Sequence, residues 1–246
     1  MSNDELDAAL DRLSRIVKTL GADAGFWIGP SGEKLRLVSS SGRVFSSREA
    51  LCTLSALVCA GEQEGSLVVP ASAPQAVEAM AQAGGLTVQR TRSDGYSLVG
   101  AARNRQVRFV ASMDDRFGFS SFQPHFDGLF SVAKIMELIG RSGLSLDQAF
   151  ARLPCHTYYH LQLPCPWESK GGLMRRMSEA AVDQQASFID GVRIDTGRGW
   201  VLVLPDQHRP IAHIYVEAIE QEDANSLRDL YRSKVAGWLD ELSVNE

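Results

Sequence analysis

A short polar stretch, Asp206-Gln207-His208-Arg209, lies between Pro205 and Pro210, with apolar runs on either side at 200–204 and 212–216. Apolar runs bounded by Gly and Pro read as strands, so the polar residues form a loop joining two strand ends. Free backbone N–H groups at a strand end can hold an anion. Arg209 adds a planar fork that matches phosphate with two bonds, and His208 adds charge below its ordinary value of about 6.5. Asp206 works against this, because a carboxylate repels phosphate unless a cation neutralises it first. Two readings therefore stay open: an anion loop led by Arg209, or an Asp206–Arg209 pair that merely closes the turn. Arg193, Arg198, Lys170 and Arg175 supply further positive charge if they face the loop.

Cys155, His156, His160 and Cys165 form a second group with ligand chemistry. Their spacing matches no common structural zinc pattern, and alternation along a strand divides them between its two faces. Gly84-Gly85 and Gly171-Gly172 sit at helix boundaries and lack the spacing of a phosphate-binding loop. The formal charge of −5 provides no basic footprint for nucleic acid or an anionic membrane. The first residues are acidic and no apolar run reaches membrane-spanning length, which points to a cytoplasmic protein. The four cysteines are then expected as free thiols.

The elements that position these groups follow from periodicity. Leu6, Leu10, Leu13, Val17 and Leu20 predict an amphipathic helix over 4–20, stopped at Gly21. Strands are expected at 24–28 and 35–38. A helix capped by Ser46 or Ser47 carries Leu51, Leu54, Leu57 and Val58. Strands at 66–70, 86–90 and 107–111 then alternate with helices at 74–83, 97–103 and 127–139, the last facing inward on Leu129, Val132, Ala133, Met136 and Ile139. Such alternation predicts a parallel sheet covered on both faces. Prolines near 154 mark a linker at 150–155, followed by a strand at 156–163 and a helix opening at Trp167 with Leu173, Met177, Ala181 and Val182. Strands at 192–195, 200–204 and 212–216 precede a closing helix over 223–239 on Ala224, Leu227, Leu230, Tyr231, Val235 and Trp238. The expected class is α/β: a three-layer α/β/α domain, then a smaller α+β domain with helices packed on one sheet face.

Asp190-Gly191-Val192, Gly199-Trp200 and the proline-bounded loop resemble the last domain of the α-D-phosphohexomutases, the phosphoglucomutase/phosphomannomutase family. There an Arg-Pro-Ser-Gly-Thr-Glu-Pro loop grips the substrate phosphate. Pro205 and Pro210 match, but Leu204 stands for the arginine, Asp206 for the serine, His208 for the threonine and Arg209 for the glutamate. Cys165-Pro166-Trp167-Glu168, Met174-Arg175 and Leu204-Pro205-Asp206 are similar to a bacterial subgroup in which a mannose-1-phosphate guanylyltransferase is fused to a phosphomannomutase-like half. The resemblance covers nearly the whole chain. It divides the chain into a second-domain remnant at 1–45, a third domain at 46–150 and a fourth at 155–246.

The resemblance also implies what is changed. The family's magnesium loop, Asp-Gly-Asp-x-Asp-Arg, corresponds to Gly29, Ser31 and Glu33, so one carboxylate remains and no metal or other cofactor is expected. The glutamate that holds sugar hydroxyls corresponds to Asp114 or Asp115, ahead of Asp127-Gly128; a solvated Asp-Asp-Arg turn reads equally well. The phosphoserine loop that carries the exchanged phosphate has no counterpart. These differences suggest a degenerate half that binds a hexose phosphate, inactive alone, partnered by a separately encoded nucleotidyltransferase or N-terminal mutase half. Two alternatives are an active half completed by a second chain, and a structural or oligomerisation module of a guanylyltransferase. Neither nucleic acid nor membrane is an expected partner.

Overall fold

In the computed structural model, which describes residues 2–121 and 123–244, the chain divides into two units at Pro154 and Cys155. The first opens with helix α1 (Asn3–Leu20), started by a Ser2/Glu5 capping box and ended by Gly21 in the left-handed conformation. Its apolar stripe, with Leu10 and Val17 buried, covers the antiparallel pair β1 (Ala24–Ile28) and β2 (Leu35–Ser39). Leu20, at the end of the predicted stripe, is exposed.

Next come α2 (Ser47–Gly61), β3 (Ser66–Pro70), α3 (Ala76–Ala83), β4 (Thr87–Thr91), α4 (Gly95–Ala102), β5 (Val107–Ala111), β6 (Phe117–Gly118), α5 (Gly128–Ser142) and α6 (Leu146–Ala151). The sheet runs β4-β3-β5-β6, with β3 parallel to both β4 and β5 and β6 antiparallel at the edge. One face packs Leu67, Val69, Phe109 and Ala111 against α2, α3 and α5; the other packs Val68, Val107 and Val110 against Leu98 and Ala102 of α4. Three layers result. Helix α2 is capped by Ser46 and buried on nearly every side, as its Leu51, Leu54, Leu57 and Val58 require. Leu35, Leu37 and Phe45 share that core.

Two details differ from periodicity. Helix α5 buries Ser131, Ile135 and Leu138 and leaves Leu129 and Met136 exposed, because small Gly128 and Ser131 let its first turn approach the neighbouring backbone. β6 and α6 are too short to produce a repeat, and both lie in stretches without a predicted element.

The second unit consists of β7 (Thr157–Pro164), α7 (Ser169–Ala180), β8 (Gln185–Ser187), β9 (Val192–Asp195), β10 (Gly199–Pro205), β11 (Ile211–Ala218) and α8 (Gln221–Val244). Its antiparallel sheet runs β7-β11-β10-β9-β8. Val192, Ile194, Val201, Val203, Ala212, Ile214 and Val216 face α7 and α8 and meet Leu173, Met177, Tyr231 and Val235. The alternate residues, including His160, Trp200, His213, Tyr215 and Glu217, lie on the face that carries no helix of this unit. Helix α7 starts at Ser169 rather than Trp167, and Val182, past its end, is exposed. Leu230 of α8 is also exposed, with Leu239 buried in its place on the inner stripe. Among the described residues, no helix is long and apolar enough to cross a membrane.

Candidate functional site

The β10–β11 connection is built around one carboxylate. Asp206 Oδ1 accepts from the backbone N–H of His208 at 2.7 Å and of Arg209 at 2.8 Å. Its Oδ2 accepts from Arg209 Nε at 3.1 Å and Nη2 at 2.9 Å, and from His213 Nε2 at 2.9 Å. Burial alone would push this carboxyl up. The His208 N–H, the His213 ring and the Arg209 side chain and N–H outweigh it and hold the group well below the ordinary carboxylate range. The carboxylate therefore occupies the donors that an incoming anion would need. Gln207 and His208 are exposed beside it.

Lys170 of α7 does reach the loop, but its ammonium donates to the carbonyl oxygens of Asp206 at 2.6 Å and Arg209 at 2.7 Å, with its Nζ 3.4 Å from the Trp167 ring centre. It braces the turn rather than offering charge to a ligand. The other three cations lie elsewhere: Arg175 pairs with Glu179, Arg198 with Asp223, and Arg193 stacks on Trp200 with its Cζ 3.8 Å from the ring centre. Asp206 thus pairs with Arg209, and the turn-closing arrangement is the one present.

Behind Asp206 runs a chain of rings of which sequence reading singled out only His160. His213 is 8% exposed; its Nε2 faces Asp206 and its Nδ1 meets His160 Nε2 at 2.9 Å. Because Asp206 is an anion, His213 carries its proton on Nε2, and its Nδ1 accepts from His160. His160 stacks on Tyr215 with ring centres 4.3 Å apart. Its pKa is pushed down to about 4, first by partial burial, then by the neighbouring His213 and the charge of Arg209. His213 carried no sequence signal because it stands alone in an apolar strand. Only the register, which sets His213 opposite Gln162 and Tyr215 opposite His160, brings the rings together.

The Cys155, His156, His160 and Cys165 group is not assembled. His156 Nδ1 meets Glu217 Oε1 at 2.8 Å, Cys165 is buried in the helix-facing core, Cys155 is exposed, and all the cysteines are free thiols. Among the described residues, no group of three or more His, Cys, Asp or Glu side chains is placed to hold a metal ion.

In the first unit, the turn after β5 separates the two aspartates. Asp115 adopts a positive φ of 70° and turns inward to Arg36, Nη1 to Oδ2 3.3 Å. Burial raises its pKa and the Arg36 charge opposes that rise. Asp114 is exposed and accepts from Ser112 Oγ and from Arg116 Nε at 3.0 Å, with Lys34 Nζ 3.7 Å away. Burial acts to raise the Asp114 pKa, but the Ser112 and Arg116 bonds win and it lies below its ordinary value. The 29–34 loop is bound to this turn and to the start of α5: Gly128 N–H donates to the Gly32 carbonyl at 2.7 Å, and Leu35 N–H to Asp115 O at 2.8 Å. A Cβ on Gly128 would stand 2.8 Å from the Gly32 oxygen, so this close approach requires glycine. Glu33 is exposed and Gly29 buried.

Known proteins now place this geometry. No family model matches the chain. A protein of Methanococcoides burtonii named as a probable phosphoglucosamine mutase is 31% identical over 220 residues, 88% of this chain and 49% of the relative. One of Methanopyrus kandleri with the same name is 26% identical over 237 residues, 95% of this chain and 52% of the relative. A phosphoglucomutase/phosphomannomutase family protein of Burkholderia thailandensis superposes with a TM-score of 0.77 at 17% identity, over 94% of this chain and 50% of that one. The chain is thus similar to proteins named as phosphoglucosamine mutases, over their C-terminal half, and shares its fold with the phosphoglucomutase/phosphomannomutase family. It spans about half the length of the curated relatives it matches. Aspergillus fumigatus N-acetylphosphoglucosamine mutase, solved with GlcNAc-6P and magnesium, shares the fold with a TM-score of 0.59 at 12% identity, over 93% of this chain and 52% of that one. The mixed α/β fold is thus that of the phosphohexomutases.

Proposed function

We propose that the chain is a hexose-phosphate-binding half of a phosphohexomutase, without phosphoryl transfer of its own, whose phosphate loop rests closed on Asp206. The observation that carries this reading is the set of bonds at Asp206: two backbone N–H groups and the Arg209 fork converge on a carboxylate. These donors are of the type that binds phosphate, so a sugar phosphate must displace the internal anion to use them. In the first unit, exposed Asp114 is the better placed of the two aspartates to accept hydroxyl donors from a sugar, since Asp115 is turned inward to Arg36.

The family's magnesium does not fit the 29–34 loop. Gly29 and Ser31 bring no carboxylate, Glu33 is the single acidic side chain there, and the Lys34 ammonium sits beside Asp114. A hard divalent cation needs several oxygen ligands, so no step is assigned to it here. The phosphoserine segment belongs to the half of the relatives that this chain does not cover, and that mutase half, or a separately encoded nucleotidyltransferase, is the candidate partner.

Isothermal titration with hexose 1-phosphates and 6-phosphates tests the reading. Binding that weakens about tenfold in Arg209→Ala, the value of a lost charge-assisted bond of about 1.5 kcal/mol, supports it. No binding by either the parent protein or Asp206→Ser would leave a structural or oligomerisation module. A coupled mutase assay with added N-terminal halves separates a regulatory half from an active half completed by another chain.

A further inference from the structure

The face of the second sheet that carries no helix of its unit brings together two imidazoles and a carboxylate in an order known from metal centres. His213 Nε2 donates to Asp206, which leaves the Nδ1 lone pair directed at His160. A carboxylate on one ring nitrogen, with the other nitrogen presented outward, is how proteins orient a metal-binding histidine and raise its basicity. We propose that His160 Nε2 and His213 Nδ1 bind a zinc-type divalent cation, with Asp206 orienting His213 from behind.

The spacing suits this. Two imidazoles on one tetrahedral zinc, with Zn–N of about 2.0–2.1 Å, have ring centres roughly 5.2 Å apart. The His160 and His213 centres stand 5.1 Å apart. Binding replaces the present 2.9 Å hydrogen bond, both lone pairs being re-aimed at the ion by rotation about the side-chain torsions. His160 then moves its proton from Nε2 to Nδ1, an exchange that solvent can carry because one side of the ring is open while the other packs on Tyr215. The Tyr215 ring, parallel to His160 within 10°, limits how far that ring tilts.

Gln162 is a neighbouring oxygen donor. It follows His160 by two residues on β7 and lies directly opposite His213 in the register, so all three side chains share one face. Water completes the shell, as in zinc sites that keep open positions. Imidazole nitrogen selects zinc or a similar transition ion over magnesium or calcium. The nearby positive charge of Arg209 is already paired with Asp206 at 2.9 Å. This site differs from the Cys155, His156, His160 and Cys165 quartet, in which His156 belongs to Glu217 and Cys165 to the core.

The experiment is a zinc titration of the whole chain by calorimetry, without sugar phosphate, in a Cys155→Ser background that removes the exposed thiol. Cobalt substitution serves as a second readout through its tetrahedral visible absorption. One ion per chain is expected. His160→Gln should weaken binding by more than tenfold, and Asp206→Asn, which touches the ion only through His213, by about tenfold. His160 is more open to solvent than His213, so its substitution is expected to be tolerated even if a His213 variant does not fold, which thermal melting of the variant checks. Equal affinity in His160→Gln and its parent overturns the proposal, as does the absence of binding at millimolar zinc. Neither result bears on hexose-phosphate binding, which is measured separately.

Discussion

Replacing Asp206 by alanine should move stability and ligand affinity in opposite directions. The substitution removes the acceptor for two backbone N–H groups, the Arg209 fork and the His213 ring. The N–H groups of His208 and Arg209 belong to exposed residues and are regained by water, so they cost little. The Arg209 side chain is 57% exposed, which limits its pair to about 0–1 kcal/mol. His213 is 8% exposed and loses a bond to a charged partner, worth about 1.5–3 kcal/mol. The sum is about 1.5–4 kcal/mol of lost stability at neutral pH. The folded Asp206 carboxyl is held below its free value, so this contribution is complete above about pH 4 and fades only as pH falls further. The same change frees Arg209 and two N–H groups, and hexose-phosphate affinity should rise about tenfold, equivalent to about 1.4 kcal/mol. Urea unfolding followed by the fluorescence of Trp200 and Trp238 reads the first effect; calorimetry reads the second. Lower stability with unchanged or weaker affinity would refute the idea that Asp206 competes with the ligand, leaving it a turn-closing residue.

Glu217 is 2% exposed and accepts from Trp200 Nε1 at 2.8 Å while holding His156, so Glu217→Ala should cost about 2–3 kcal/mol in the same unfolding assay, with Glu217→Gln recovering part of it. Gly191 has φ of 73°, and a Cβ there would collide with the Val203 carbonyl oxygen; Gly191→Ala should cost about 2 kcal/mol or more, read as a lower urea midpoint. His160 titrates near 4 rather than near its ordinary 6.5, so the fold favours its neutral form. That stability is complete above the unfolded value and is lost as pH falls from about 6.5 to 4. Thermal melts should show the decline in the parent and a shallower one in His160→Gln; identical slopes would rule out this origin.

Much of the architecture was legible in the residues because burial imposes a period. The strands at 24–28, 66–70, 107–111 and 192–195 agree with β1, β3, β5 and β9 to the residue. Ser46 caps α2 as expected, and the alternating strands and helices of the first unit form the three expected layers. Of the predicted inner face of α5, Val132 and Ile139 do pack on the core, but Leu129 and Met136 do not, because periodicity ranks positions by hydrophobicity. Close approach at Gly128 and Ser131 instead turned Leu129 and Met136 outward.

The sequence by itself determined which side chains are available at the β10–β11 loop: its prolines, its lost arginine, and both Asp206 and Arg209. It left open whether those two serve a ligand or each other, because that depends on distances of a fraction of an ångström. Tertiary structure set their resting contacts by directing His213 from β11 and Lys170 from α7 onto the same turn, one at the carboxylate and the other at the carbonyls. The pairing of His160 with His213 likewise depends on strands separated by 53 positions being in one register. A local pattern specifies which face of a strand a residue occupies, but the neighbour on that face comes from a distant part of the chain, and the packing of the whole sheet selects it.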